Sequence, residues 1–251
     1  MPERMSAGTP ARTSSGELAV PLVERRHVDL AIVLCALAAS NLATAFLLDA
    51  WPEAVAQVGA AVALVIFARW RGSSVDSLGL SARAVRAGLR LGAVVSGLIH
   101  VGVIVIAVVP FGRSFLEDDR FSELSGWSAT YQLVIRIPLV TALSEELMFR
   151  SVLLAVLLAC VSARWAVVWS AVAFGLWHVL GTLGDLGGNA ATDSLGAVER
   201  AGSVAGVVLA TTIAGVIFAW TRLRSESLVA PWMIHVAFNG ATFAAGLVVA
   251  T

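Results

Sequence analysis

Charged residues are scarce in this sequence, and one kind is missing altogether. They account for 14% of the 251 residues, and because lysine does not occur, arginine supplies every permanently positive side chain. The formal net charge is zero, and no basic cluster is interleaved with aromatic residues. The electrostatic footprint of a nucleic-acid-binding protein is therefore missing, and we expect no nucleic-acid partner.

Cysteine is rarer still, with two occurrences at Cys35 and Cys160. Both residues lie within apolar runs, and their separation has no resemblance to metal-ligand spacing. We predict that they are small packing residues, and that they neither form a disulfide nor act as nucleophiles.

Apolar residues dominate what remains. They make up 58% of the chain, and the mean hydropathy of +0.86 is far above that of a soluble domain of this length. We predict an all-α fold, a polytopic transmembrane helical bundle of about seven to eight helices within residues 28–251. Residues 1–27 are rich in Ser, Pro, Gly, Arg and Glu and lack the apolar core of a signal peptide, so we predict a disordered cytoplasmic tail.

Several apolar stretches are long enough to cross a bilayer, which takes about 20 residues. They fall at 28–49, 52–69, 88–110, 128–160, 165–183, 201–221 and 228–250. The stretch 128–160 is too long for one simple span and contains Pro138, so we expect either an interfacial helix followed by a span or two helices. In the stretch 201–221, Gly202 and Gly206 have the spacing at which membrane helices pack closely.

The arginines predict the orientation, because cytoplasmic connections retain positive charge. Arginine-rich segments precede the first span and follow the second, fourth and sixth, with Arg25, Arg26, Arg69, Arg71, Arg83, Arg86, Arg90, Arg164, Arg222 and Arg224. The intervening connections are acidic, with Asp49, Glu53, Glu117, Asp118, Asp119, Glu123, Asp185, Asp193 and Glu199. We therefore predict that the N-terminus is cytoplasmic.

Ionisable side chains within apolar spans are costly, from about 3 to over 10 kcal/mol near the bilayer centre, so each needs a partner, a water-filled cavity or a function. The spans carry such polar groups at Glu145, Glu146 and Arg150 in SEELMFR, His178 in FGLWH, His235 and Asn239 in HVAFN, and His100. We interpret His100 as a helix-packing hydrogen bond. Arg136 is interpreted as a charge at a helix end, with no role in a site.

Residue spacing gathers these groups into polar stripes. Glu146 and Arg150 are four residues apart and are predicted to form an ion pair. Glu145 points about 100° away from Glu146 and must meet a partner on another helix. His235 and Asn239 share a face of the last span. On these spans Glu145 falls in the outer half of the membrane and His235 in the inner half, a mismatch of up to about 10 Å.

A carboxylate, two imidazoles and an amide that meet in a low-dielectric cavity are sufficient for hydrolysis of a peptide bond by water. The carboxylate can take a proton from water, and an imidazole can orient that water or protonate the leaving amine. Amide and imidazole donors can stabilise the oxyanion, each by about 3 to 4 kcal/mol. An ion- or proton-coupled transporter remains an alternative, as does a non-catalytic membrane immunity or scaffold protein.

The three motifs resemble those of the CPBP family, which comprises the type II CAAX prenyl endopeptidases and bacteriocin-processing or self-immunity proteins. The pattern EExxxR is matched by Glu145, Glu146 and Arg150, FxxxH by Phe174 and His178, and HxxxN by His235 and Asn239, in the family's order and within residues 127–250. The resemblance implies an intramembrane endopeptidase. It further implies these roles: Glu145 activates water with help from His178, His235 and Asn239 form the oxyanion site, and Glu146 and Arg150 support them.

The resemblance also implies which partners and cofactors to expect. It favours a glutamate-dependent mechanism without a cofactor; two carboxylates and two histidines could in principle hold Zn²⁺, but the HExxH pattern is missing. The implied partners are a peptide or membrane-anchored protein substrate and the lipid bilayer. We expect an integral protein of a bacterial plasma membrane.

Overall fold

Helices account for most of the described chain, as expected where lipid offers the backbone no hydrogen-bond partners. The computed structural model describes residues 22–46, 48, 50–113, 116, 124, 126–187 and 196–250. The long helices are α1 (Leu22–Phe46), α2 (Ala50–Trp70), α3 (Val85–Val108), α4 (126–160), α5 (Ala163–Gly187), α6 (Ala197–Ser225) and α7 (Val229–Val249). These seven helices, and the lack of any strand among the described residues, confirm the predicted fold class.

Six of the seven helices, all but α4, are long and apolar enough to cross a membrane. Helix α1 begins at Leu22, six residues before the predicted span, and residues 1–21 of the predicted tail lie outside the described residues. Both cysteines are free. Cys35 is exposed, so the packing role predicted for it is wrong, whereas the Cys160 thiol donates to the carbonyl of Arg26 at 3.6 Å.

Helix α4 is one continuous element, so the two-helix interpretation of this stretch is wrong. The chain passes through Pro138 without a break because Gln132–Leu143 is π-helical. Leu147–Leu153 is π-helical as well. In a π-helical turn each backbone N–H bonds to the carbonyl five residues earlier, one more than in an α-helix, and such turns often mark functional sites. The carbonyl of Pro138 accepts a hydrogen bond from the indole of Trp232 on α7 at 2.8 Å.

The connection between α2 and α3 folds back into the bundle. Leu78 is completely buried, and its carbonyl accepts a hydrogen bond from the Ser151 hydroxyl of α4 at 2.7 Å. The next carbonyl, that of Gly79, accepts from the amide of Leu228 at 2.8 Å. Gly79 has φ = 73°, and a Cβ there would overlap the side chain of Arg222, so glycine is required twice over. Helix α7 therefore begins at the depth of Ser151 and not at the end of the bundle.

Close approach of α5 and α6 depends on two glycines. A Cβ at Gly175 would overlap the side chain of Thr212, and a Cβ at Gly215 would lie 3.0 Å from the Cα of Ala171. Small residues at such crossings let membrane helices gain van der Waals contact. The packing predicted at Gly202 and Gly206 is wrong, because a Cβ at either position would meet no atom within 4 Å; the spacing is right but the face is not.

This difference between glycines on facing helices yields a prediction. Gly175→Ala should destabilise the protein by about 1 to 3 kcal/mol, since overpacking forces the α5–α6 interface apart. Gly206→Ala is the matched control and should leave stability unchanged or slightly raised, because alanine is the better helix former. Thermal unfolding of the detergent-solubilised variants measures both. Equal midpoints for the two variants would contradict the assigned interface.

Candidate active site

A charged cluster is sealed inside the bundle at the level of the EExxxR motif. Glu146 and Arg150 form the predicted ion pair, with 3.3 Å between Oε1 and Nη1, and both side chains are completely buried. His235 of α7 places its Nδ1 2.9 Å from the same Oε1 of Glu146. One carboxylate oxygen thus faces a guanidinium from its own helix and an imidazole from another.

Aromatic rings enclose the guanidinium of Arg150. Its Cζ lies 3.9 Å from the ring centroid of Phe174, 4.9 Å from that of Phe218 and 5.8 Å from that of Phe149. None of its nitrogens has a hydrogen-bond partner within the described part of the chain. The cation is therefore held by the charge of Glu146 and by ring faces, whose quadrupoles attract positive charge.

Glu145 contacts His235 of α7, and this confirms that its partner lies on another helix. Its Oε2 lies 3.7 Å from Nε2 of His235, whose ring thereby spans the two adjacent carboxylates. The depth mismatch predicted between Glu145 and His235 is absent, because α7 starts on the connection that folds back to Ser151. Six residues of helix, about 9 Å, carry the chain from Val229 to His235.

His178 is fixed by its own helix. Its Nδ1 lies 2.8 Å from the carbonyl oxygen of Phe174, and because a carbonyl only accepts, Nδ1 must carry the proton. In the neutral ring Nε2 is then an acceptor. The ring also packs edge-on against that of Phe174, with centroids 4.7 Å apart. The phenylalanine of FxxxH thus touches both His178 and Arg150.

A cavity of about 610 Å³ brings three of the predicted site residues together. Glu145 of α4, His178 of α5 and Asn239 of α7 all line it. His235 does not line the cavity, and with Glu146 and Arg150 it lies behind Glu145, in the sealed cluster. The predicted residues therefore form two groups, one that faces open space and one that faces protein.

This cavity is also lined by polar residues that the sequence analysis did not assign to a site. Arg136 was given no role, yet its Nη2 lies 3.3 Å from Oε2 of Glu53 on the cavity wall. Asn41 of α1 donates to the carbonyl of Trp177 at 3.0 Å, and Gln57 of α2 lines the same wall. The four-residue spacing of Glu53 and Gln57 on one face of an apolar helix was the available signal.

His100 lies apart from this site. Its Nδ1 is 2.7 Å from the carbonyl of Ser96, one turn earlier on α3, and the residue is exposed on the bundle surface. His100 therefore makes a hydrogen bond within its own helix. The prediction that it forms a hydrogen bond between packed helices is wrong.

A metal ion needs several ligands that face one point. Within the described ranges no three His, Cys, Asp or Glu side chains are grouped so that they could hold one. His235 directs Nδ1 to Glu146 and Nε2 to Glu145, so neither of its nitrogens faces a point that both carboxylates share.

The comparison with protein families agrees with the resemblance carried by the motifs. Residues 127–241 match the family described as "Type II CAAX prenyl endopeptidase Rce1-like". Neither a curated protein nor a solved structure matches the chain. The matched segment contains all the predicted site residues, whereas Asn41, Glu53 and Gln57 of the cavity wall precede it.

The buried ion pair predicts a non-additive effect on stability. Glu146→Gln and Arg150→Met should each cost about 3 to 5 kcal/mol, because each leaves an uncompensated charge in the interior. The double variant should cost clearly less than the sum of the two, as measured by denaturation of the detergent-solubilised protein.

The half-exposed pair on the cavity wall is the matched control for that cycle. Glu53→Gln and Arg136→Met should each cost no more than about 1 kcal/mol. Equal and additive effects of the two pairs on stability would contradict the burial of the Glu146–Arg150 pair.

Proposed function

We propose that this protein hydrolyses peptide bonds inside the membrane with a water molecule activated by Glu145, because residues 127–241 match the Rce1-like type II CAAX prenyl endopeptidases. The family match and the six apolar helices support an integral membrane protease of the CAAX type. The observation that carries the finer proposal is the cavity of about 610 Å³ in which Glu145, His178 and Asn239 converge from three helices.

Glu145 is the base in this mechanism. It lines the cavity yet is 5% exposed, so water can reach its carboxylate from the cavity while the rest of the side chain is shielded. The carboxylate takes a proton from water as the water oxygen bonds to the substrate carbonyl carbon. The carbon–nitrogen bond then breaks, and the proton held by Glu145 passes to the leaving amine, so that atoms and charge balance.

His178 orients the attacking water. Since its Nδ1–H is committed to the carbonyl of Phe174, Nε2 presents a lone pair to the cavity and accepts a hydrogen bond from the water. An acceptor on each side of the water, Glu145 and His178, turns an oxygen lone pair toward the substrate. Orientation of this kind reduces the entropy cost of the attack.

Asn239 supplies a donor for the oxyanion. It is half-buried on the cavity wall, and its amide NH₂ can donate to the oxygen that becomes negative as the tetrahedral intermediate forms. His235, which the resemblance paired with Asn239, takes a different part in this proposal. With its nitrogens facing Glu146 and Glu145, it positions the Glu145 carboxylate from behind.

The proposed substrate is a peptide or a membrane-anchored protein that enters from the non-cytoplasmic side of a bacterial plasma membrane. Cavity residues such as Thr44, Glu53 and Thr182 lie near the ends of α1, α2 and α5 that face the acidic connections. The arginine-rich connection between α2 and α3 lies at the opposite end. If positive charge marks the cytoplasm, the N-terminus is cytoplasmic and the cavity faces away from it.

Cleavage of a fluorogenic peptide library by the detergent-solubilised protein tests the mechanism. Glu145→Gln should lower kcat/KM by at least about 10³-fold, His178→Ala by about 10²- to 10⁴-fold and Asn239→Ala by about 10²- to 10³-fold. A metal chelator should leave the wild-type rate unchanged.

Glu53→Gln is the matched control, because it removes another carboxylate of the same cavity, and its rate should stay within about tenfold of wild type. Chelator-sensitive activity would overturn the metal-free mechanism. A folded wild type without any cleavage would favour the transporter or the scaffold instead, and a proton-flux assay in vesicles would separate these two.

Labelling of single cysteines tests the orientation. With Cys35 and Cys160 replaced by alanine, Ala197→Cys at the start of α6 should react with a membrane-impermeant maleimide in intact cells. Ser74→Cys, in the connection between α2 and α3, should react only after permeabilisation; both native positions are exposed. The reverse pattern would place the cavity on the cytoplasmic side.

A further inference from the structure

Phe218 belongs to none of the three motifs, yet it touches the two groups that surround Glu146. It lies on α6 and is 3% exposed. Its ring centroid is 4.9 Å from the guanidinium carbon of Arg150 and 5.0 Å from the ring centroid of His235, at an interplanar angle of 25°.

We propose that Phe218 is a positioning residue for the peptidase reaction, which sets the place of Glu145 by holding Arg150 and His235. The contacts run from the ring of Phe218 to Arg150 and His235 and from these two groups to Oε1 of Glu146. The other ring nitrogen of His235 then reaches Glu145. This inference rests on the proposed function, since it concerns the geometry of the proposed base.

The ring of Phe218 acts through its quadrupole as well as through its volume. The guanidinium of Arg150 has no hydrogen-bond partner among the described residues, so its position depends on the Glu146 charge and on the faces of Phe174 and Phe218. An aliphatic side chain would fill the space but offer no quadrupole to the cation. If Arg150 moved, it would no longer fix Glu146, and His235 would lose its 2.9 Å contact.

The position of Phe218 also predicts which kinetic parameter responds. The residue does not line the cavity, so substrate binding has no direct contact with it. A displaced base weakens an interaction made in the transition state and leaves ground-state binding intact, which lowers kcat without raising KM. A residue that only supported the fold would lower the amount of active protein and change neither parameter per active molecule.

Substitution and graded fluorination of this ring test the proposal. Phe218→Leu should lower kcat by up to about thirtyfold, because a cation–π contact of a desolvated group is worth about 2 kcal/mol, and KM should stay unchanged. Incorporation of mono-, di- and trifluorinated phenylalanine at position 218 keeps the shape but progressively weakens the ring face. The logarithm of kcat should fall stepwise along this series.

Trp220→Leu is the matched control: it removes an exposed aromatic residue from the same helix and should leave kcat unchanged. A flat fluorination series in an enzyme that still depends on Glu145 would overturn the role of Phe218 and leave the proposed function standing. A wild type that cleaves nothing would overturn both. Folding of each variant is checked by its elution volume and melting temperature.

Discussion

The guanidinium of Arg150 is the constraint around which the middle of the bundle is arranged. A permanent charge with no exposure costs from about 3 to over 10 kcal/mol in a membrane unless it is compensated. Glu146 compensates the charge, and Phe174 and Phe218 solvate it with ring faces in place of hydrogen bonds. Helices α4, α5 and α6 must therefore meet at one level. His235 of α7 then joins through the same carboxylate oxygen.

The connection between α2 and α3 determines how α7 enters that arrangement. Because Ser151 and Leu228 both bind carbonyls of this connection, the start of α7 is set at the depth of the second half of α4. Arg222, nearly buried, donates to the carbonyl of Ser77 at 2.8 Å and closes the connection from α6. A segment that looks like an ordinary polar loop in the sequence thus places His235 beside the glutamates.

The sequence was sufficient to predict the helices and the polar motifs, because a charge within an apolar run such as Glu145 has few ordinary explanations. It was insufficient for Arg136, because the break expected at Pro138 made this arginine look like a charge at a helix end, whereas it lies inside the continuous helix α4. Glu53 lies in the first turn of α2, where acidic residues are common, so only its spacing to Gln57 carried information. Phe218 could not be found, since phenylalanine is expected in any membrane helix. The packing prediction at Gly206 was wrong for another reason. The spacing of small residues places them on one face of a helix, but it does not say whether a neighbouring helix covers that face.

The two adjacent glutamates of α4 face different surroundings for a geometric reason. Consecutive residues of a helix point about 100° apart, so one carboxylate can be sealed among ring faces while the next reaches a cavity. A base for hydrolysis needs both conditions at once: contact with water, and a place fixed by groups that water cannot reach. His235 joins the two sides, because its ring nitrogens face Glu146 on one side and Glu145 on the other. The sealed ion pair can therefore orient the base while it stays out of the reaction.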